Sequence, residues 1–85
     1  MTNLRYLRLK YKIPLQKLAD MAGVSPQYIN RIELSPHLAT AKDTGQIALA
    51  IEQLIRHDYT QLAALEQEFL YIKGRLFNES QEDAP

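Results

Sequence analysis

Four side chains of the types that read DNA bases fall within five residues of this sequence: Gln27, Tyr28, Asn30 and Arg31. Arginine bonds guanine with two donors, glutamine and asparagine suit adenine, and an aromatic edge can contact a thymine methyl group. On a helix that advances about 100° per residue, Gln27 and Arg31 lie opposite Ile29 and Ile32. The pattern predicts an outward face suited to nucleic acid, although the outer face of any surface helix is polar.

Two short helical patterns surround this face and are separated by only Gly23-Val24-Ser25. The second helix starts at Pro14, where a missing N–H costs nothing, and Gly23 ends it in a left-handed conformation. Ser25 and Pro26 then cap and start the third helix, which ends near Glu33. Both helices are too short to be stable alone, so we expect a helix-turn-helix resting on neighbouring helices.

The neighbouring helices have their own start signals. The first helix is expected over roughly residues 3–11, with Thr2 or Asn3 as its cap. Thr40 and Asp43 have the spacing of a capping box at the start of the fourth helix. Asp58 and Gln61 either cap a separate fifth helix or lie inside a fourth helix that continues. No stretch has the pattern of a strand, so the fold class is all-α.

Composition is consistent with one small domain and divides the charge unevenly. The 85 residues have no net charge and no cysteine. Residues 1–42 hold seven basic and two acidic side chains, a balance of +5, whereas residues 43–85 have a balance of −5. Such asymmetry suggests that the first half meets a polyanion and the second does different work, although two solvated faces would give the same count.

The second half contains an apolar stripe at heptad spacing, formed by Leu62, Leu65, Phe69, Ile72 and Leu76. The stripe is broad for one small body, so we expect part of it to form a homodimer interface and part to pack in the core. We divide the chain into a DNA-binding domain at 1–57, a C-terminal packing and dimerisation helix at 58–78, and a flexible tail at 79–85.

The residues that catalysis or metal binding would need are not grouped. His37 and His57 are twenty residues apart and neither has a neighbour at ligand spacing. Three scattered glycines make no phosphate loop. We expect no enzyme activity, metal or other cofactor. Without cysteine, a signal peptide or a run of about 20 apolar residues, the sequence also predicts a cytoplasmic protein with no membrane partner.

Several fixed spacings agree with one known family. They are LRYLR in the first helix, the I-x-L-x-x-LA spacing of residues 13–19, GVS at 23–25, the Ile29–Ile32–Glu33 ending and IALAI at 47–51. Together they resemble the Xre/Cro family of phage-repressor-like regulators over about two thirds of the chain. The resemblance implies a lambda-repressor-like five-helix fold that binds double-stranded DNA, with the third helix in the major groove.

The resemblance also implies roles for individual residues. It assigns base contacts to Gln27, Tyr28 and Arg31, with Asn30 beside them, and it pairs Arg8 with Glu33. A guanidinium matches a carboxylate through two parallel hydrogen bonds, so we interpret Arg8 as structural. Phosphate contacts are expected from five residues near helix starts: Gln16, Lys17, Ser25, Thr40 and Lys42.

The sequence departs from the family at three places. Pro14 and Leu15 replace a polar pair that reaches phosphate, Pro26 replaces a frequent polar contact, and Leu34 replaces a glycine. We predict a homodimeric repressor that reads an inverted repeat. The alternatives are a DNA-binding antitoxin or adaptor whose acidic C-terminal helix binds a protein partner, and a helix-turn-helix interaction domain without DNA activity.

Overall fold

The computed structural model describes residues 1–83 and 85, and within them five α-helices form the protein. They are α1 (Asn3–Lys10), α2 (Leu15–Ala22), α3 (Pro26–Leu34), α4 (Ala41–Asp58) and α5 (Ala63–Ile72). A single 3₁₀ turn, Pro36–Leu38, joins α3 to α4. No strand occurs in the described part of the chain, where Thr2 and Glu79 form one isolated bridge. The all-α prediction is confirmed.

Three of the helices begin at side-chain caps. Thr2 caps α1 by accepting the Arg5 N–H, and Ser25 caps α3 by accepting the Tyr28 N–H. At α4, Thr40 and Asp43 each bond the other's backbone N–H, as a capping box requires. Pro14 precedes α2 with no side-chain cap.

The α4–α5 connection differs from the expected one. The fourth helix stops at Asp58, and α5 begins only at Ala63, where Leu62 supplies no side-chain cap. Of the two alternatives, the separate fifth helix is found and the continuous fourth helix is not, but Asp58 does not cap the fifth helix. Asp58 is the last residue of α4, and its carboxylate lies 2.6 Å from the Lys17 ammonium of α2.

The last helix is also shorter than the predicted 58–78. It ends at Ile72, and a turn follows in which the Arg75 N–H bonds the Ile72 carbonyl. Beyond the turn, Leu76 is fully buried. The first N–H groups of a helix have no partner within the helix. In α1, those of Asn3 and Leu4 donate instead to the Asn78 and Leu76 carbonyls, respectively.

The segment predicted to be a flexible tail begins with paired residues. Glu79 forms the bridge with Thr2, and the Ser80 N–H donates to the Met1 carbonyl. The tail prediction also covers Ala84, which lies outside the described residues.

The core is one cluster shared by all five helices. Both α3 and α4 pack mainly on α2, while α5 packs on α1 and α4. Its largest fully buried side chains come from every helix and from the C-terminal segment: Leu4, Leu7, Leu18, Ile29, Ile32, Ile47, Ile51, Leu54, Leu65, Phe69 and Leu76. One face of α3 therefore packs on the core, and the opposite face is exposed to solvent.

Candidate nucleic-acid interface

The turn between α2 and α3 fixes the direction of the third helix. Gly23 has φ +73°, a left-handed conformation that side chains other than glycine adopt at a cost. The Val24 N–H then bonds the Ala19 carbonyl, which closes the end of α2. Ser25 caps α3 at once, so only three residues separate the two helices. So short a connection leaves α3 little freedom to change its angle to α2.

The outward face of α3 carries three of the four side chains expected to read bases. Gln27, Asn30 and Arg31 are exposed, whereas Ile29 and Ile32 are 0% and 1% exposed. Within residues 1–83 and 85, no intramolecular hydrogen bond or ion pair uses the three polar side chains. Arginine, glutamine and asparagine on a supported, projecting helix have the donors and acceptors that match base edges in the major groove.

Tyr28 lies in a different environment from its neighbours. It is half-buried, and its hydroxyl donates to Asp43 Oδ2 at 2.7 Å. Burial alone would raise the pKa of the Asp43 carboxyl. Hydrogen bonds from Thr40 and Tyr28 outweigh that effect and hold the pKa below its usual value. The Tyr28 hydroxyl is therefore bonded to a residue of α4, and only the ring remains for a base contact.

The five residues expected at phosphates are spread over the surface. Ser25 and Thr40 use their hydroxyls as helix caps, and Gln16 donates to Asp20 at 2.8 Å. Lys17 pairs with Asp58, and this hydrogen bond raises the pKa of the lysine. Lys42 is exposed and forms no ion pair with the described residues. Since α4 rises about 1.5 Å per residue, Asp58 and Lys42 are roughly 24 Å apart along that helix.

A buried carboxylate joins α1 to the end of α3. The Glu33 side chain is fully enclosed, and Arg8 approaches it with Nε at 3.0 Å and Nη2 at 2.9 Å. This is the pair that the family resemblance implied. Arg5 adds a third donor at 3.2 Å, which the sequence reading did not identify. Arg5 lies one helical turn before Arg8, and this spacing was the available signal.

The charge asymmetry of the sequence is partly neutralised within the fold. Lys10 pairs with Glu68 at 2.6 Å, and Lys17 pairs with Asp58, so cations of the first half meet anions of the second. The basic side chains outside any ion pair in the described chain are Lys12, Arg31, Lys42, Arg56 and Arg75. Of these, Arg31 and Lys42 lie on α3 and at the start of α4.

Most of the stripe predicted for a dimer interface lies in the core of one chain. Leu65 and Leu76 are 0% exposed and Phe69 is 1% exposed, because α5 and the following turn pack them against α1 and α4. Ile72 is half-buried, and Leu62 is 42% exposed. The three buried residues are unavailable to a second chain in this structure, which corrects the expectation for them. Two further leucines, Leu49 on α4 and Leu70 on α5, are exposed.

A helix-turn-helix family model (HTH_3) matches residues 4–50, just over half of the chain. The protein belongs to the Xre/Cro-like helix-turn-helix family. The match confirms the resemblance and the lambda-repressor-like fold, and it identifies a DNA-binding helix-turn-helix regulator. Families of this kind are generally not enzymes. A search of curated proteins found no match, and a search of solved structures found none.

The matched segment runs from Leu4 to Ala50 and so includes the open face of α3. It stops within α4 and leaves α5 and the C-terminal segment outside. Within the described residues, no helix is long and apolar enough to cross a membrane, and no group of three metal-binding side chains is found.

Proposed function

We propose that this Xre/Cro-like protein is a sequence-specific repressor whose α3 reads the major groove through Gln27, Asn30 and Arg31. One observation carries the proposal: these three side chains are exposed and uncommitted on a helix whose opposite side is wholly buried. Lys42 and the Thr40 hydroxyl, which still has a proton to donate, would contact phosphate, because α4 begins beside α3. Gln16, Lys17 and Ser25 would make further phosphate contacts from the starts of α2 and α3.

A homodimer on an inverted repeat is the second part of the proposal. One short helix contacts only a few base pairs, and two such helices about 34 Å apart read successive major grooves. The apolar side chains still exposed on the α4 and α5 side, Leu49, Leu62 and Leu70, supply a surface for pairing. A groove of about 270 Å³ between these helices, bordered by Arg56 and Glu66, lies beside Leu70.

The base-reading role is tested by selecting bound duplexes from a random library and then measuring binding of Arg31→Ala to the selected site. We expect Arg31→Ala to lose about 1–3 kcal/mol and to relax preference at one base pair. Arg75→Ala is the matched control, because Arg75 is also an exposed arginine outside any ion pair in the described chain but lies in the turn after α5. If both variants discriminate as the wild type does, α3 does not read bases through Arg31.

The dimer is tested by light scattering over a range of protein concentrations. We expect twice the 9.8 kDa chain mass at high concentration, and a return to one chain mass in Leu70→Glu. Leu9→Glu is the control, since Leu9 is an exposed leucine on α1. A wild type that stays at one chain mass, with and without operator, contradicts the dimer.

A protein partner at the C-terminal helix is the second candidate. It is favoured by the exposure of Leu70 and Tyr71, at 54% and 72%, on the helix that lies outside the matched segment. A chain that remains monomeric in light scattering, but loses copurifying protein when Tyr71 is replaced by serine, would favour it over the homodimer.

A further inference from the structure

The contact between Tyr28 and Asp43 joins two elements that otherwise share little surface. Both α3 and α4 pack on α2 rather than on each other. Tyr28, on α3, donates its hydroxyl to Asp43 Oδ2 at 2.7 Å, and the same oxygen accepts the Thr40 N–H at 2.9 Å. Asp43 is only 8% exposed, so this contact is shielded from solvent. A hydrogen bond to a carboxylate is shorter and stronger than one between neutral groups.

We infer that Tyr28 and Asp43 are a positioning pair that sets the α3 base-reading face relative to the phosphate contacts at the start of α4. This inference rests on the proposed function and assigns Tyr28 a role other than the direct base contact expected from the family resemblance. Phosphate contacts fix a protein's register on DNA, and base contacts then specify sequence. A shift of α3 against Thr40 and Lys42 would place Gln27 and Arg31 out of register with the bases.

The pair has a second effect on the same surface. Asp43 is one residue from Lys42, and an outward carboxylate there would repel the phosphate that Lys42 is proposed to bind. Hydrogen bonds from Tyr28 and Thr40 hold the carboxylate inward. The positioning pair therefore leaves the cationic and N–H groups at the start of α4 free to face DNA.

The inference is tested by a double-mutant cycle on the full chain with Tyr28→Phe, Asp43→Asn and both together. Dissociation constants are measured for the selected operator and for a random duplex of equal length at the same salt. Each single change is expected to lower the ratio of the two affinities about tenfold, and the double change to lower it no further. Binding to the random duplex should change less than about twofold, since its contacts are to phosphate. The Thr40 N–H still holds the Asp43 carboxylate inward in Tyr28→Phe, and Asp43→Asn has no carboxylate to repel phosphate.

Two controls separate positioning from folding. Tyr59→Phe alters another half-buried tyrosine, at the far end of α4, and should leave the ratio unchanged. Asp43→Glu keeps a capping box but moves the acceptor away from Tyr28, so it should lower the ratio with helix content preserved. If Asp43→Asn does not fold, Asp43→Glu replaces it in the test.

The outcomes are distinct. If Tyr28→Phe changes preference at one base pair and Asp43→Asn does not, Tyr28 is a direct base contact and the inference is wrong. Additive losses, or an unchanged ratio in Asp43→Glu, also overturn it while leaving the proposed function intact. A wild type that selects no preferred sequence overturns the proposed function and the inference together.

Discussion

Glu33 shows how one buried side chain supports α3. Its carboxylate is enclosed at the end of α3 and receives two hydrogen bonds from Arg8 and one from Arg5, both on α1. The Arg8 side chain is 11% exposed and that of Arg5 is 30% exposed. Because the two arginines differ in burial, they are expected to respond differently when the carboxylate is lost.

Replacing Glu33 by alanine should destabilise the protein by about 3–5 kcal/mol, because the change leaves the Arg8 charge partly buried without a partner. Replacing Arg5 by alanine should cost about 1 kcal/mol or less, since its contact is more exposed and Arg8 still satisfies the carboxylate. Urea unfolding followed by circular dichroism measures both. Equal losses in the two variants would show that the Arg5 contact accounts for the whole contribution of Glu33, contrary to this assignment.

Helical periodicity alone was sufficient to predict that Gln27, Asn30 and Arg31 face outward from α3. It was not sufficient for Tyr28, because the angle of a residue on its helix says nothing of how far a long ring reaches toward another element. Asp43 was predicted as a cap from its spacing to Thr40, which is a local feature. Its contact with Tyr28 spans fifteen residues and depends on how α3 and α4 sit on α2.

At the scale of elements, local chemistry decided the boundaries that were predicted well. Gly23, Ser25 and Thr40 act on groups no more than five residues away, so sequence is sufficient for them. The limits of α5 depend instead on distant partners. Asp58 pairs with Lys17 of α2, and the Leu76 carbonyl accepts the Leu4 N–H of α1. The heptad spacing includes Leu76, although the helix ends at Ile72.

The glycines at 23 and 45 give opposite predictions for the same substitution. Gly23→Ala should destabilise by about 1–2 kcal/mol, because Gly23 has φ +73° and alanine is strained there even though no atom lies within 4 Å of the added carbon. Gly45→Ala should stabilise by roughly 0.5–1 kcal/mol, since position 45 lies inside α4 with equal open space. Thermal unfolding compares them, and a shift of the same sign in both would contradict the role of Gly23 as the helix stop.

At the scale of the molecule, the C-terminal segment closes the fold beside α1. The Leu76 side chain has no exposure, and backbone carbonyls of Leu76 and Asn78 accept the first free N–H groups of α1. The same helix, α1, also carries Arg5 and Arg8, which donate to Glu33. The support of α3 therefore extends to residues more than forty positions beyond it.

A chain ending at Arg75 should consequently lose stability, by at least the 2–5 kcal/mol typical of truncating a buried leucine. A chain ending at Ser80 keeps the backbone pairs and Leu76 and is the matched control. Urea unfolding of the two chains and the wild type makes the comparison. Similar midpoints for all three would mean that residues 76–80 contribute little to the fold.

Net charge gave the least guidance to function, because it sums groups that the fold pairs internally. The chain is neutral, and its halves differ by sign, yet Lys10 and Lys17 of the first half are paired with acids of the second. In the proposed function, DNA meets a local set that includes two cations outside these pairs, Arg31 on α3 and Lys42 at the start of α4. A neutral protein can therefore still bind a polyanion through one face.

The salt dependence of DNA binding measures that local set. For duplex DNA, the logarithm of affinity falls with the logarithm of salt with a slope of about −0.9 for each phosphate neutralised. We expect Lys42→Ala to reduce the slope by roughly 0.9 per bound chain, on operator and random duplex alike. Lys73→Ala should leave the slope unchanged, because Lys73 lies beyond α5 and pairs with Glu52. An equal change in both variants would show that binding follows total charge, and that the start of α4 is no phosphate site.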